Sequence, residues 1–335
     1  NTVPCSHTLA KAAAMLTLRP YQQAAISALY QHLATSASNP CIVIPTAGGK
    51  TPILATICHD ALSKRNERVL VVTHVRELLL QAKDKLLATD ESLLLSVGIY
   101  SAGLGCRDTE QPIILASVQS VYKRPTMLGP RHLVIVDEAH LIPPHEESMY
   151  QRLLEGLRQQ CPGMRVIGLT ATPYRLSSGP LCGPGNVLHT ICFEVGVREL
   201  VEAGYLCRLI TKAGVEKPDF DSLPVRGGEF IAEAAEELMD VDSLVHSACR
   251  EIVAYSANRR AVLLFCTGVW HAEHVQRVLG AQYGIECGLV TAETPAKDRA
   301  KLIDRFRCGD LRYLANVNVL TTGFDVPHID TIALL

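Results

Sequence analysis

Short apolar runs alternate with amphipathic segments along the first half of the chain, and this alternation limits the folds available to it. Segments with helical periodicity, such as Pro52–Leu62 and Arg76–Leu87, lie between runs that are apolar on both faces. Such runs belong in a parallel sheet with helices on both sides, because parallel strands need crossover connections. The runs predicted to be strands are Cys41–Ile44, Val69–Val72, Ile113–Ala116, Leu133–Val136 and Val166–Leu169.

A second series of the same kind occupies the rest of the chain, which at 335 residues is long enough for two domains. We therefore predict an α/β protein with two tandem parallel-sheet domains, at 15–195 and 196–335, after an extension at 1–14. The last strand-like run reaches the end of the chain, so we expect the second domain to be truncated at its C-terminus. The further strands are expected at Ala261–Phe265, Gly288–Val290, Arg312–Ala315 and Ile329–Leu334, and the further helices at Val197–Ala203, Glu229–Met239 and Ser243–Ala257.

Charge and composition exclude several classes of protein. Lys and Arg number 32 against 34 Asp and Glu, so any contact with nucleic acid must come from a local cleft, not from bulk attraction. No apolar run has the length of a membrane span, and we expect a soluble, cytoplasmic protein without a membrane partner. The 12 cysteines are scattered, which favours reduced thiols over a metal site at Cys182, Cys192 and Cys207.

A turn of small residues connects the first predicted strand to the next helix and predicts a phosphate site. It reads Thr46, Ala47, Gly48, Gly49, Lys50, Thr51. Such a turn lets backbone N–H groups point at phosphate oxygens, and the helix N-terminus adds partial positive charge. Lys50 would reach the β- and γ-phosphates of ATP, and the Thr51 hydroxyl would ligate Mg²⁺.

Two adjacent carboxylates end a buried strand of the same predicted sheet. Asp137 and Glu138 follow Leu133–Val136, and His140 comes two residues later. Asp137 suits Mg²⁺ through an intervening water, whereas Glu138 suits the general base that activates the attacking water. Together with the phosphate turn, this pair predicts a site that hydrolyses ATP.

These residues resemble the core of a superfamily 2 helicase, with Asp137–His140 as its DEAH box, and the resemblance covers the chain from Leu18 onwards. It implies two RecA-like domains. It also implies that Arg19 and Gln22 contact the nucleotide, Gln22 at adenine, and that Gly323 and Asp325 face it from the second domain. The family has Gly-Ala-Gly-Lys where this chain has Ala47-Gly48-Gly49-Lys50, and we expect binding to survive the exchange. The residues of these motifs most resemble those of the RadD-type bacterial DNA-repair helicases.

The same resemblance implies a track for a single nucleic-acid strand. Several of the implied residues sit at strand ends, where polar residues cap loops in any parallel sheet, and this reading stays open. His140 is open in the same way, as a link between the domains or as a loop cap. The residues implied to line the track are Thr73, His74, Arg76, Ser117, Gln119, Thr267, Thr321 and Thr322.

The function implied is an ATP-dependent DNA helicase or translocase that acts on single-stranded or branched DNA, in DNA repair. Backbone contacts would make binding independent of sequence, and a single-strand-binding protein is an expected partner. The alternatives are an RNA helicase, a restriction-system or phage motor subunit, and an ATP-dependent DNA clamp that does not unwind. Trp270 could stack on a base, but its position beside a strand favours the core of the second domain.

One family motif is missing from the chain. The family places two arginines that reach the γ-phosphate shortly after the segment that contains Asp325, and this sequence ends at Leu335. An arginine finger contributes about 10³ to 10⁵ in rate. We therefore expect these residues to bind ATP and Mg²⁺ but to hydrolyse ATP weakly on their own.

Overall fold

The computed structural model describes residues 17–73, 76–89, 91–143, 148–175, 179–226, 229–320, 324, 326 and 328–335. The chain forms two compact units, the first ending at Leu209 and the second beginning at Ile210. Within the described residues, none of the helices combines the length and the apolar character that crossing a membrane requires.

The first unit is built on an eight-stranded sheet in the order β10-β1-β7-β6-β2-β5-β3-β4, while β8 and β9 form a separate antiparallel pair. Its helices are α1 (Pro20–Thr35), α2 (Lys50–Arg65), α3 (Arg76–Thr89), α4 (Val118–Val121), α5 (Met149–Gln160) and α6 (Val197–Glu202). Its strands are β1 (Pro40–Val43), β2 (Val69–Thr73), β3 (Val97–Ser101), β4 (Cys106–Arg107), β5 (Ile113–Ser117), β6 (Leu133–Asp137), β7 (Arg165–Thr170), β8 (Tyr174–Arg175), β9 (Gly179–Pro180) and β10 (Thr190–Glu194).

All pairings within the large sheet are parallel except that of β3 with β4. The five strands predicted in the first half are therefore confirmed, and β3 and β10 extend the sheet beyond them. Successive residues of each strand pack on opposite faces, Ile42 against α1 and α2, and Val43 on the side of α4 and α5. Both faces are covered, as strands that are apolar on both sides require.

The second unit has a smaller parallel sheet in the order β14-β15-β13-β16. Helices α8 and α9 pack on one face of it, and α10 packs on the other through Phe306. Its helices are α7 (Ala232–Met239), α8 (Asp242–Tyr255), α9 (Val269–Tyr283) and α10 (Ala296–Cys308). Its strands are β11 (Val225–Arg226), β12 (Glu229–Phe230), β13 (Val262–Phe265), β14 (Cys287–Val290), β15 (Tyr313–Asn316) and β16 (Thr331–Leu334).

The helix predicted from Glu229 begins later than expected. Glu229 and Phe230 form β12, which pairs in antiparallel fashion with β11, and the helix begins at Ala232. The two residues between these strands are Gly227 and Gly228, which lie outside the described part of the chain. A Gly-Gly pair between two short runs is a hairpin signal, and it outweighs the helical preference of the residues that follow.

The prediction that Trp270 packs in the core of the second domain is wrong. Its side chain is 74% exposed, although it lies in the first turn of α9. The buried face of α9 is formed by His271, Val275 and Val278, among others, and position 270 falls beside that face.

The cysteines that the structure describes are free thiols. Cys41, Cys58, Cys249, Cys266 and Cys287 are buried, and desolvation raises the pKa of the Cys58 thiol to about 12. Within the described residues, the group of side chains with metal-ligand spacing contains no cysteine. The structure therefore adds nothing in favour of the cysteine metal site.

A buried arginine stabilises the edge of the first sheet at which the parallel strands begin. Arg131 is fully buried, and burial lowers the pKa of its guanidinium to about 10. Its guanidinium donates to backbone carbonyl oxygens at Leu128, at the start of β2 and in the segment before β5, so it takes the place of water as a donor to these groups. The acceptors are Leu128 O (2.9 Å), Thr109 O (2.8 Å), Gln111 O (2.9 Å), Pro112 O (3.0 Å) and Val69 O (3.4 Å).

We expect Arg131→Met to lower the free energy of unfolding by about 3 kcal/mol, because it leaves buried carbonyl groups without donors. Urea unfolding followed by circular dichroism measures this change. Arg158→Met is the matched control, since Arg158 is exposed on α5, and its effect should stay within about 0.5 kcal/mol. Equal stability of the two variants would contradict the anchoring role of Arg131.

Candidate functional site

The central strands of the first sheet bring the predicted catalytic segments together. Strand β7 lies between β1 and β6, with Val43 opposite Thr170 and Asp137 opposite Leu169. The Ile44 N–H donates to Thr170 O at 2.9 Å. The turn after β1, the end of β7 and the carboxylate pair after β6 therefore lie side by side at the edge of the sheet formed by the C-terminal ends of its parallel strands.

The turn between β1 and α2 has a backbone that explains its order of small residues. Ala47 has a φ of 62° and Gly49 a φ of 78°, so both occupy the left-handed region. A Cβ atom on Gly48 would lie 2.6 Å from Ile44 Cγ2 and 2.9 Å from Pro45 O. Alanine therefore fits position 47, at some cost in backbone strain, but not position 48 without a shift of the turn.

Lys50 and Glu138 form an ion pair at the centre of the site. Lys50 Nζ lies 2.6 Å from Glu138 Oε1, and the side chains are 15% and 27% exposed. The Glu138 N–H donates to Asp137 Oδ1 at 3.0 Å, and Glu138 has a φ of 50°. Phosphate oxygens would compete for the Lys50 ammonium, so nucleotide binding would release the Glu138 carboxylate.

His140 connects this ion pair to the end of β7. Its Nδ1 lies 3.0 Å from Thr170 Oγ1 and 3.4 Å from Glu138 Oε2. Burial lowers the pKa of His140 below its usual range, more than the Glu138 carboxylate raises it. Thr170 Oγ1 donates to Thr172 O at 3.1 Å and can accept the His140 Nδ1–H.

Thr170 is a further residue of the site, and it lies in the segment Leu169–Pro173, which the family resemblance implies to couple the nucleotide site to the nucleic-acid track. This buried threonine links the carboxylate pair to the segment that follows β7, through His140. Both Thr170 and Glu138, the partners of His140 described above, belong to the first unit. A role of His140 between the domains stays a prediction.

Arg19 and Gln22 lie beside the phosphate turn. The buried Gln22 donates through Nε2 to Gly49 O at 3.1 Å and accepts from the Arg19 N–H at 2.9 Å. The Arg19 guanidinium lies 5.0 Å from the ring centroid of Tyr205, a cation–π contact. Tyr205 was not predicted, because no spacing relates a tyrosine after α6 to the start of α1.

Tyr21 is a second aromatic residue that was not predicted. Its hydroxyl donates to Gly48 O at 2.6 Å, and its ring meets that of Tyr205 edge to face with centroids 5.1 Å apart. The two rings and Arg19 form a partly open aromatic surface next to the turn. Such a surface can hold a planar base.

Thr73 and Ser117, two of the residues predicted to contact nucleic acid, are neighbours at the ends of β2 and β5. Both are buried, and Ser117 Oγ lies 2.8 Å from Ser120 Oγ. Gln119 is exposed in the short helix α4 that follows β5. These positions share the sheet edge that carries the catalytic segments, since β6, β2 and β5 are parallel neighbours. Their contacts with nucleic acid stay a prediction.

The other predicted positions are placed only in part. In the second unit, Thr267 Oγ1 lies 2.8 Å from His271 Nδ1 at the start of α9. Thr46 is exposed in the phosphate turn, and Thr51 lies in the first turn of α2. The predicted residues that fall outside the described part of the chain are His74, Thr321, Thr322, Gly323 and Asp325, together with the side chain of Arg76.

The fold consists of two units, each built on a mostly parallel sheet, and the first unit carries the candidate nucleotide site. The family described as the res subunit of type III restriction enzymes matches residues 15–175, and the helicase conserved C-terminal domain matches residues 244–335. Together the two matches indicate a superfamily 2 helicase.

Individual relatives agree with this class. The putative ATP-dependent helicase IRC3 of Saccharomyces cerevisiae is 25% identical over 332 residues, which cover 95% of this chain and 46% of the relative. The putative mitochondrial ATP-dependent helicase irc3 of Schizosaccharomyces pombe is 29% identical over 328 residues, which cover 94% of this chain and 51% of the relative. The chain thus spans about half the length of these curated relatives.

Solved structures show the same fold. The helicase Lhr of Mycobacterium smegmatis, in a structure bound to ssDNA and AMP-PNP, has a TM-score of 0.60 and 18% sequence identity. The similarity covers 96% of this chain and 42% of that one. At this identity the likeness concerns the fold, and it confirms the predicted pair of RecA-like parallel-sheet domains.

We expect Gly48→Ala to weaken ATP binding by about tenfold, or 1.4 kcal/mol, because its Cβ displaces the turn that faces the phosphates. Ala47→Gly is the matched change at the neighbouring position. It removes the strain of a left-handed alanine, costs chain entropy, and should leave ATP affinity within about twofold. Titration with a fluorescent ATP analogue measures both. Equal losses at the two positions would show that the close approach at Gly48 does not set the shape of the turn.

Proposed function

We propose that this chain is the motor core of an ATP-dependent DNA helicase or translocase that acts on single-stranded or branched DNA in DNA repair. The observation that carries the proposal is the ion pair between Lys50 and Glu138, which joins the phosphate turn to the carboxylate pair at 2.6 Å. A phosphate-binding lysine held against a carboxylate at the edge of a parallel sheet is suited to the hydrolysis of a nucleoside triphosphate.

The residues present fit Mg²⁺ as the cofactor of ATP. The Thr51 hydroxyl and the Asp137 carboxylate are oxygen donors, which Mg²⁺ prefers, and they belong to segments that the sheet places side by side. The ion would neutralise charge on the β- and γ-phosphates. Lys50 would bind the same phosphates, and Gly48 and Gly49 would let backbone N–H groups approach them.

Glu138 is the proposed general base. In the present structure its Oε1 is paired with Lys50 Nζ at 2.6 Å. When phosphates attract Lys50, Glu138 is released and can accept a proton from water. His140 would then remain bonded to Thr170, with its Nδ1 near Glu138 Oε2.

Arg19, Gln22 and the two tyrosines form the proposed nucleoside side of the site. Gln22 holds Gly49 through its amide, so its contact with adenine would be coupled to the position of the phosphate turn. The Tyr205 ring already packs under the Arg19 guanidinium, and a base could share this surface. Contacts of Gly323 and Asp325 with the nucleotide stay a prediction.

The proposed nucleic-acid track consists of Thr73, His74, Arg76, Ser117 and Gln119 in the first unit. In the second unit it consists of Thr267, Thr321 and Thr322. The exposed Trp270 follows Thr267 by three residues, so base stacking becomes the better reading of this tryptophan. With a net charge of -2, affinity would come from this local track and would fall steeply with salt.

Several finer points stay predictions. They include the RadD-type subfamily, a cytoplasmic location, weak turnover of these residues alone and partnership with a single-strand-binding protein. An RNA helicase, a restriction-system or phage motor subunit and a DNA clamp without unwinding are the alternatives. Competition between single-stranded DNA and RNA for stimulation of ATP turnover distinguishes a DNA helicase from an RNA helicase. A strand-displacement assay beside an ATPase assay distinguishes a helicase from a clamp.

We expect Glu138→Gln to reduce DNA-stimulated ATP turnover by about 10² to 10⁴ in rate, because the amide cannot accept the proton of water. ATP binding should be retained or become tighter, since Lys50 loses its competing carboxylate. A coupled phosphate-release assay and an ATP titration measure the two effects. Glu155→Gln, an exposed position on α5, should leave both unchanged. Turnover that survives in Glu138→Gln would reject this residue as the base.

We expect Trp270→Ala to weaken single-stranded DNA binding by about 1 to 3 kcal/mol, because one stacked base loses its platform. Tyr255→Ala is the matched control, since Tyr255 is another exposed aromatic residue of the second unit. Fluorescence anisotropy with DNA and RNA strands of the same sequence, at several salt concentrations, measures both variants. If the chain binds RNA more tightly than DNA, the proposed function changes from a DNA helicase to an RNA helicase.

A further inference from the structure

A cluster of two histidines and a carboxylate lies in the second unit, among residues to which the proposed motor gives no role. Asp242 and His246 are one turn apart at the start of α8, and His274 faces them from α9. One ligand atom of each lies within 4.8 Å of those of the other two. Residues four apart share one face of a helix, so α8 presents both of its donors towards His274.

The hydrogen bonds of His274 resemble those of a metal ligand. Its Nδ1 lies 2.7 Å from Asp240 Oδ1, and its Nε2 lies 3.2 Å from Asp242 Oδ1. A neutral imidazole carries a single N–H, so it can donate to only one of these carboxylates. When Nδ1–H is bonded to Asp240, the Nε2 lone pair points to the side of Asp242, which is the arrangement that carboxylate–histidine–metal sites use.

The distances agree with a small tetrahedral ion. Zn–N and Zn–O bonds of about 2.0 Å in a tetrahedron place two ligand atoms about 3.3 Å apart. The separation of 3.2 Å between His274 Nε2 and Asp242 Oδ1 matches that edge. The rings of His246 and His274 are nearly perpendicular, at 86°, with centroids 6.2 Å apart, and a ring nitrogen of His246 lies within 4.8 Å of the ligand atoms of Asp242 and His274.

The surroundings give the cluster an inner and an outer side. The side chain of His274 is 11% exposed, whereas that of Asp242 is 88% exposed. An ion can therefore enter from solvent and be held by a histidine that the packing of α9 already orients. Two imidazoles with one carboxylate suit Zn²⁺, whereas Mg²⁺ prefers six oxygen ligands.

We propose that Asp242, His246 and His274 bind one Zn²⁺ ion, with Asp240 as the positioning residue behind His274 and water at the fourth position. The ion would connect the first turn of α8 to α9, the helix that follows Thr267 and carries Trp270. Its role is to stabilise the second unit, and the proposal is independent of ATP and of nucleic acid.

The competing explanation is that His274 pairs with Asp240 and Asp242 without any metal. The test uses the complete chain after dialysis against a chelator, without nucleotide or Mg²⁺. Competition with a chromophoric chelator measures Zn²⁺ affinity and stoichiometry, and Co²⁺ reports the ligand type through its visible spectrum. We expect one tight Zn²⁺ ion per chain and a Co²⁺ spectrum of nitrogen and oxygen ligands in a tetrahedral site.

Variants distinguish Zn²⁺ binding at the proposed site from binding to cysteine thiols, since thiolates are also zinc ligands. We expect His246→Ala and Asp242→Asn to weaken Zn²⁺ binding at least about tenfold, and Asp240→Asn to weaken it about 10- to 100-fold. Asp298→Asn is the matched control, since Asp298 is an exposed acid in the first turn of α10, and it should leave the affinity unchanged.

Thermal unfolding gives a second readout on the same proteins. Zn²⁺ should raise the Tm of the unmodified chain and of Asp298→Asn, but not that of His246→Ala. Because His246 and Asp242 are not buried, their variants should fold. Zinc binding that His246→Ala and Asp242→Asn leave intact, or a Co²⁺ spectrum of thiolate ligands, would overturn the proposal in favour of a cysteine site. Absence of Zn²⁺ binding would overturn it in favour of a metal-free pairing of His274 with Asp240 and Asp242.

Discussion

The parallel register of β1, β7 and β6 is the constraint on which the rest of the first unit depends. It sets Val43 opposite Thr170 and Asp137 opposite Leu169, so that three strands end beside one another. These strands are buried on both faces, and a shift by one residue would exchange every side chain between the two cores. Hydrophobic packing therefore holds the strand register, and the register places the phosphate turn beside the carboxylate pair.

A chain of polar contacts then gives this edge its chemistry. Lys50 is paired with Glu138, Glu138 lies within reach of His140, and His140 is bonded to Thr170 at the end of β7. These polar contacts depend on one another, because a ligand that attracts the Lys50 ammonium changes the charge around His140. These contacts connect the turn after β1 to the segment that follows β7.

Much of this was predictable, and the failures have physical reasons. The strands that are apolar on both faces were confirmed, since only a covered parallel sheet buries them. Strand β10 was missed because its residues are mostly half-buried and its partner β1 lies about 150 residues away, beyond any local pattern. The exposure of Trp270 was missed because helical phase, not proximity to a strand, decides which side of α9 faces the core.

The class of fold, the phosphate turn and the carboxylate pair follow from the order of amino acids alone, because each depends on residues that are adjacent along the chain. Three-dimensional packing was needed to show that Lys50 contacts Glu138, that Tyr205 lies against Arg19, and that His274 meets Asp242. These partners are far apart in sequence, and they meet because separate helices and strands pack on a shared sheet. Local sequence propensity does not predict such long-range contacts, because they depend on the packing of the folded chain.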